Sequence, residues 1–164
     1  MRFPHCVLLV LAVTLVLSQE SAQASRSRAQ SQPKQTPAAA DQPFSEAVAE
    51  SLLSALSEAI LGQDQAAALA LFDQDRMPDY SDFAERVGAI LRQYESFRVN
   101  YHLVQTFEET GQNLAIVEFT LEAFPASDAG LPIRRSAQLR FSFTRGEKSW
   151  KISDVQPRDF FAQF

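Results

Sequence analysis

The spacing of apolar residues changes from a helical to a twofold period near the middle of the chain. Up to Tyr94, apolar residues recur at steps of three and four, which is typical of amphipathic helices. From residue 97 to residue 155, apolar and polar residues alternate, which is typical of strands. This order predicts an α+β fold in which three N-terminal helices pack in a strongly curved antiparallel sheet.

Each predicted helix has its own start signal. Ser45 is a suitable N-cap for the first helix, which Gly62 ends, and Asp64 can cap a short second one. The third opens at Asp79 or Ser81. The predicted buried faces are Phe44, Val48, Leu52, Leu56 and Ile60 in the first helix, Ala68, Leu71 and Phe72 in the second, and Tyr80, Phe83, Val87, Ile90, Leu91 and Tyr94 in the third.

Four strands follow, joined by a turn at Thr110-Gly111, a longer loop over residues 124–132 and a turn over residues 145–148. The predicted inner face is largely apolar, and its polar residues are Tyr101, Gln105, Arg135 and Asp154. Its apolar residues are Phe97, Val99, Leu103, Ala115, Val117, Phe119, Leu121, Ala123, Ala137, Leu139, Phe141, Phe143, Trp150 and Ile152. The opposite face holds Arg98, Asn100, His102, Glu118, Thr120, Glu122, Gln138 and Arg140. This outer face is polar.

The N-terminus predicts export. Residues 6–17 form an apolar run that is too short to span a bilayer, and an A-x-A pattern ending at Ala24 suits signal peptidase. Residues 1–24 are therefore interpreted as a signal peptide, with an uncleaved anchor as the alternative, and residues 25–42 as a disordered tether. The folded domain is residues 43–164, and the expected location is secreted or periplasmic.

The composition limits the kinds of ligand and partner that the folded domain is expected to bind. Cleavage would remove Cys6, the single cysteine, and His5, leaving His102 as the one histidine, so no metal site or other cofactor is expected. The formal net charge of −5 argues against nucleic acid as a partner. After cleavage no membrane span is expected, and no Gly-rich phosphate loop is present.

Three features together resemble the nuclear transport factor 2-like superfamily, which includes SnoaL-like and ketosteroid-isomerase-like proteins. They are the helix pair at residues 47–72 with its Gly62-Gln63-Asp64 junction, the sheet from residue 97 onward, and the closing strand SWKISDV at residues 149–155. The resemblance implies a cystatin-like cone whose bent sheet wraps a long helix and leaves a pocket at the wide end. The family includes isomerases, dehydratases, cyclases, epoxide hydrolases and non-catalytic binding domains, so the fold leaves the function open.

The catalytic patterns of the family leave few candidates in this chain. Tyr101 and Asp154 would supply the donor and the base of an isomerase-like site, and Arg135 with Asp154 would supply part of a hydrolase-like site. A salt bridge or an anchor for a ligand carboxylate is the competing interpretation of Arg135 and Asp154. A dehydratase-like site needs a histidine pair, whereas His102 lies alone on the outer phase.

The sequence therefore favours a non-catalytic exported domain that binds a small apolar ligand or a partner protein. The alternative is a small cofactor-independent isomerase, hydrolase or cyclase that acts on an apolar substrate. The predicted ligand-binding residues are Tyr101, Gln105, Arg135, Trp150 and Asp154. A homodimer through the outer face is compatible with this pattern. The C-terminal aromatics Phe160, Phe161 and Phe164 are expected to fold back as core, with an interface or a pocket lid as the alternative.

Overall fold

A computed structural model describes residues 42–126 and 130–162. The predicted signal peptide and residues 25–41 of the predicted tether lie outside the described residues, as does Phe164. The helices are α1 (Glu46–Leu61), α2 (Gln65–Ala70), α3 (Tyr80–Gln93) and a C-terminal 3₁₀ helix (Arg158–Phe161), and the strands are β1 (Ser96–Glu109), β2 (Gln112–Phe124), β3 (Ile133–Arg145) and β4 (Trp150–Gln156).

The predicted caps of the first two helices are in place. The Ser45 hydroxyl accepts from the backbone N–H of Val48 at 3.4 Å, and the Asp64 carboxylate accepts from that of Ala67 at 2.9 Å. Gly62 is the C-cap of α1. Asp79 precedes α3 in a left-handed conformation, with φ of 55° and no capping bond from its side chain.

The second helix is shorter than predicted and continues into a strand-like contact. The Asp73 N–H donates to the carbonyl of Ile152 at 2.8 Å, and the Ile152 N–H donates to the carbonyl of Leu71 at 2.9 Å. Phe72 is buried at this contact. The chain after α2 therefore covers part of the free edge of β4.

The four strands form one antiparallel sheet in the order β1-β2-β3-β4. Across β2 and β3, the predicted inward residues pair in register, as in Phe119 with Ala137 and Val117 with Leu139. The sheet curves around α1, which buries Leu53 and Leu56 with the inner face in one apolar core. The α+β architecture with an antiparallel curved sheet is therefore confirmed.

Two β-bulges interrupt the alternation in the edge strands. In β1 the register shifts between Leu103 and Gln105, and in β4 it shifts where Ser142 and Phe143 of β3 meet Asp154 and Ile152. A bulge places two residues opposite one, so every residue beyond it moves to the opposite face from a regular strand. Val155 rather than Asp154 is therefore the next fully buried residue of β4.

The outer face is polar, as predicted. Glu122 lies 2.7 Å from Arg98 and 3.7 Å from Arg134, and His102 is exposed in register with Glu118. These ion pairs lie largely in solvent, where each contributes little to stability. Val104, the extra residue of the β1 bulge, is apolar and is 46% exposed to solvent.

Candidate functional site

The interior of the curved sheet is the candidate site, and the chain's own C-terminal residues occupy it. We call the 3₁₀ helix Arg158–Phe161 the C-terminal plug. Phe161 contacts the ring of Phe83 on α3 at 5.8 Å between centroids, and Phe160 contacts the ring of Phe119 on β2 at 5.6 Å, both edge to face. Both plug rings are buried, so the prediction that these two aromatics fold back as core is confirmed.

Beside the plug remains one small apolar cavity of about 20 Å³. Ligand pockets usually measure roughly 300–1,000 Å³, so this space is about that of one water molecule. It is lined by Leu56, Ile60, Ala68, Phe72, Phe83, Val87, Ile90, Leu91, Leu121 and Phe161. None of these side chains is polar, so the cavity itself offers no group for acid–base chemistry.

Arg135 holds the plug from β3. Its Nη1 donates to the carbonyl oxygens of Asp159 at 3.0 Å, Phe160 at 2.5 Å and Ala162 at 3.0 Å. A guanidinium at the carboxyl end of a helical turn satisfies carbonyls that lack helical partners. Arg135 lies on the inner face of β3, as predicted. The sequence predicted that it contacts Asp154, whereas its guanidinium donates to the plug carbonyls.

Asp154 instead forms an ion pair with Arg158 of the plug. The Nε of Arg158 donates to one carboxylate oxygen at 2.8 Å, and Nη2 donates to the other at 3.2 Å. The Nη1 of Arg158 also lies 3.5 Å from the carboxylate of Asp79, before α3. One plug residue therefore joins β4 to the start of α3.

The pKa of Asp154 is lowered, although burial by itself would raise it. The hydrogen bonds from Arg158, from the Gln156 amide at 2.9 Å and from the Val155 N–H at 2.9 Å outweigh the loss of hydration. The same ion pair raises the pKa of the Arg158 guanidinium. Asp154 is thus a carboxylate with its acceptors engaged, a poor arrangement for a general base.

The sequence predicted that Asp154 and Gln105 lie on the inner face of the sheet. Both predictions were wrong because a β-bulge precedes each residue. Asp154 pairs with Ser142 on the outer phase of β3, and Gln105 pairs with Ile116 on the outer phase of β2 and is exposed. In both strands one extra residue precedes the predicted position. Asp154 and Gln105 therefore do not enter the interior with the inward-facing residues.

Tyr101 lies on the inner phase of β1, in register with Phe119. Its pKa is raised, first by burial and then by the neighbouring carboxylate of Glu50 on α1. The edge strands β1 and β4 are three strand spacings apart, about 14 Å. Tyr101 and Asp154 thus lie on opposite faces near opposite edges and do not form a donor–base pair.

Trp150 is a buried residue at the start of β4. Its ring contacts Phe44 at 5.4 Å, and its indole N–H donates to the carbonyl of Gln42 at 2.9 Å. These contacts join β4 to the segment before α1. Its predicted role in ligand binding stays a prediction.

In the part of the chain that the structure describes, the larger pockets lie at the protein surface. One of about 490 Å³ crosses the outer side of β3 and β4 next to the turn at Gly111. We call it the outer groove; its lining residues are Arg76, Pro78, Gly111, Gln112, Arg140, Ser142, Phe143, Thr144, Ser153, Asp154 and Gln156. Its polar walls suit peptide groups and charged side chains better than an apolar substrate.

In residues 42–126 and 130–162, no group of three or more His, Cys, Asp or Glu side chains is placed to hold a metal ion. None of the helices in this part of the chain is long and apolar enough to cross a membrane.

Sequence reasoning missed Arg158 and Asp79, whose ion pair joins the C-terminal plug to the start of α3. The signal was present in the segment Arg-Asp-Phe-Phe at residues 158–161, where two charged residues precede two rings. Such a short segment has no periodicity of its own from which a position in the fold follows.

Comparison with solved structures finds the same architecture. A conserved protein from Planctomyces limnophilus DSM 3776 matches with a TM-score of 0.56 at 10% identity, covering 66% of this chain and 90% of that one. A candidate dehydratase from the nuclear transport factor 2-like family of Streptomyces avermitilis matches with a TM-score of 0.50 at 13% identity, covering 66% and 90%.

A candidate association domain of calcium/calmodulin-dependent protein kinase type II from Thiobacillus denitrificans ATCC 25259 also matches, with a TM-score of 0.50 at 14% identity, covering 65% of this chain and 90% of that one. No protein-family profile matches the sequence, and no curated protein does. At these identities the similarity establishes the fold alone.

Proposed function

We propose that this chain, which has the nuclear transport factor 2-like fold, is an exported, non-catalytic domain that binds a partner protein through its surface. The filled interior is the observation that carries the proposal. With Phe160 and Phe161 in place, the cavity beside them measures about 20 Å³, and its walls are apolar. A substrate would find neither space nor polar groups there.

The enzyme alternative requires polar side chains that converge on an open cavity. Among the described residues, Tyr101 faces Glu50 on one side of the sheet, and Asp154 is paired with Arg158 on the other. Arg135 donates to the plug carbonyls. Each candidate catalytic group therefore has a structural partner, which favours a binding domain over an isomerase, hydrolase or cyclase.

The outer groove is the surface we propose for the partner. It combines the guanidinium groups of Arg76 and Arg140 with hydroxyls and amides along β3 and β4. These groups can hydrogen-bond to an extended peptide or to acidic side chains, as in the polar parts of transient interfaces. The outer face also remains the proposed surface for a homodimer.

Native mass spectrometry tests the closed interior. The chain from Ser25, purified from the exported fraction of its own cells, should show the mass of the polypeptide alone or of a protein complex. A small molecule retained in equal proportion to the chain would contradict the proposal, because the folded interior would then hold a ligand.

Photo-crosslinking tests the surface. A photoreactive amino acid replaces exposed Gln112 in the outer groove, and exposed Gln93 at the end of α3 serves as the matched control. We expect a protein adduct, either a partner or a second copy of the chain, from position 112 and none from position 93. Equal labelling at both positions would rule out the groove as the specific surface.

A further inference from the structure

The first strand, β1, forms an open edge of the sheet. Within residues 42–126 and 130–162 it pairs with β2 alone, whereas the opposite edge, on β4, is partly covered by the hydrogen bonds between Asp73, Leu71 and Ile152. Along an edge strand, every second residue directs its backbone N–H and carbonyl away from the neighbouring strand. Since these are obligatory hydrogen-bonding groups, the edge of β1 can accept a further strand.

The β-bulge limits how much of this edge is available. Pairing with β2 is regular from Ser96 to Leu103, and the register shifts before Gln105. A bulge twists an edge strand and interrupts regular pairing. An added strand would therefore lie along residues 98–103, which offer about 20 Å of regular backbone.

The helix α1 packs against β1 and runs in the opposite direction. At the end of α1, the Gln63 amide donates to the carbonyls of Tyr94 at 3.0 Å and Glu95 at 2.6 Å, just before β1 begins. Nearer the start of α1, Glu50 lies close enough to Tyr101 to raise the pKa of its hydroxyl, after burial, which has the larger effect. The helix therefore borders the inner side of the open edge.

The side of α1 that borders Tyr101 is acidic. Glu50, Ser54 and Glu58 follow one another at steps of four, and all three act on the pKa of Tyr101. Four helical residues advance about 6 Å, and two strand residues advance about 6.6 Å. Three successive inward residues of an added strand can therefore face Glu50, Ser54 and Glu58 in turn.

Both carboxylates are open to a cationic partner. Glu58 is exposed and Glu50 is half-buried. Within the described ranges, the ion pairs of the protein involve other acidic residues. A Lys or Arg side chain brought to this edge would therefore meet a carboxylate that has no competing ion pair there.

These charges favour a basic partner over a second copy of the chain. Two β1 strands paired about a twofold axis would bring two rows of Glu50 and Glu58 together. A pairing centred on Asn100 would also place Arg98 opposite His102, which adds no attraction. Like charges placed opposite each other destabilise a strand pair.

We propose that the open edge of β1 at residues 98–103 binds an extended basic segment of a partner protein as a fifth strand, with Lys or Arg at its inward positions i and i+4 facing Glu50 and Glu58. Main-chain hydrogen bonds supply affinity, and the carboxylates select for positive charge. This goes beyond the proposed function and does not rest on it, because the outer groove is a different surface on the outer side of β3 and β4.

The probe is the peptide acetyl-Thr-Arg-Thr-Ser-Thr-Arg-Thr-amide, labelled for fluorescence anisotropy. We expect the exported chain to bind it saturably, and higher salt to weaken the binding. Glu50→Gln and Glu58→Gln should each weaken it about two- to fivefold, because each removes one partly exposed ion pair. Glu85→Gln, at an exposed residue of α3, is the matched control and should bind as wild type does.

Backbone methylation of the peptide tests strand pairing without altering the protein. Successive N–H groups of a strand point to opposite edges, so N-methyl groups on Arg, Ser and Arg block one edge of the peptide and N-methyl groups on the Thr residues block the other. We expect one methylated peptide to bind as the parent does and the other to bind at least about tenfold more weakly. Hydrogen exchange should slow within residues 98–103 on binding and stay unchanged in β4.

Four results would overturn the edge proposal. They are the absence of saturable binding by wild type at millimolar peptide, equal binding of the two methylated peptides, unchanged hydrogen exchange in residues 98–103, and wild-type affinity in both glutamate variants. None of them bears on the crosslinking at Gln112, so failure of the edge proposal and failure of the proposed function are distinguishable.

Discussion

Trp150 connects the last strand to the residues that precede the first helix. Its ring lies between the core and Phe44, and its N–H reaches the backbone of Gln42. Gln42 was predicted to end a disordered tether, yet its carbonyl takes part in the fold. A single aromatic residue thus joins Gln42 and Phe44 to the last strand.

Truncation of this ring should be costly. We expect Trp150→Ala to lower the free energy of unfolding by roughly 3–5 kcal/mol, because a large buried ring is replaced by a cavity. Urea denaturation followed by circular dichroism measures the change. Trp150→Phe keeps most of the ring and loses the bond to Gln42, so its cost should be about 1–2 kcal/mol. A loss below about 1 kcal/mol for the alanine variant would show that the ring is not core.

Asp154 makes stability depend on acid pH. Its pKa is lower in the folded chain than in the unfolded one, so its ion pair stabilises the folded state above the ordinary carboxyl pKa of about 3.9. This contribution is lost as the pH falls through the folded pKa, since the unfolded chain takes up the proton first. The melting temperature should therefore fall as the pH is lowered below the ordinary carboxyl pKa of about 3.9.

Variants separate the contribution of the Asp154 carboxylate to this pH dependence from that of the other acidic groups. Asp154→Asn should show a shallower loss of melting temperature over that acid range and a lower melting temperature at neutral pH. Glu147→Gln, at an exposed turn residue, should keep the wild-type dependence. Identical pH profiles for wild type and Asp154→Asn would mean that the Arg158 pair adds no net stability.

At the scale of the elements, the two bulges decide which polar residues face the interior. Alternation predicted the faces of β2 and β3 residue by residue, and the register confirms them. The same reasoning failed beyond Leu103 in β1 and beyond Ile152 in β4. Bulges carry no reliable local signal here, since neither strand has a glycine at that position.

The bulge in β1 can be tested through Gln105. Because Gln105 is exposed on the outer phase, we expect Gln105→Lys to change the free energy of unfolding by less than about 0.5 kcal/mol. Leu103→Lys, on the buried side of the same strand, should prevent stable folding because it buries a charge without a partner. Chemical denaturation of the two variants gives the comparison. A severe loss for Gln105→Lys would place that residue inside.

At the scale of the molecule, residues 42–126 and 130–162 form an α+β structure whose interior is filled by side chains. Residues from α1, α3, the sheet and the C-terminal plug share one core, and the remaining cavity is about that of a water molecule. The three solved structures described above are 10–14% identical to this chain over about two-thirds of its length. These structures share the architecture of this chain. The contacts that Arg135 and Arg158 make with the plug are observed in this chain.

Export is the remaining prediction at this scale. The apolar run and the A-x-A pattern ending at Ala24 predict cleavage before Ser25. Intact mass spectrometry of the exported protein should give the mass of residues 25–164, and Ala24→Pro should block processing. A membrane-bound form that still carries Met1 would favour the uncleaved anchor.

The sequence by itself determined the class of fold and most of the inner face. Period and capping depend on residues a few positions apart, so they can be read locally, as for Ser45, Asp64 and the strands β2 and β3. The candidate residues Tyr101 and Arg135 were placed on the correct side of the sheet for the same reason.

Only the tertiary structure decided what those residues contact. Arg135 meets carbonyls more than twenty positions away, and Asp154 meets Arg158 because a bulge turns its side chain out of the inner row. Such partners depend on how strands bend and where the chain returns, which no local pattern encodes. The same long-range packing brought Phe160 and Phe161 into the interior and so replaced the expected pocket with a plug.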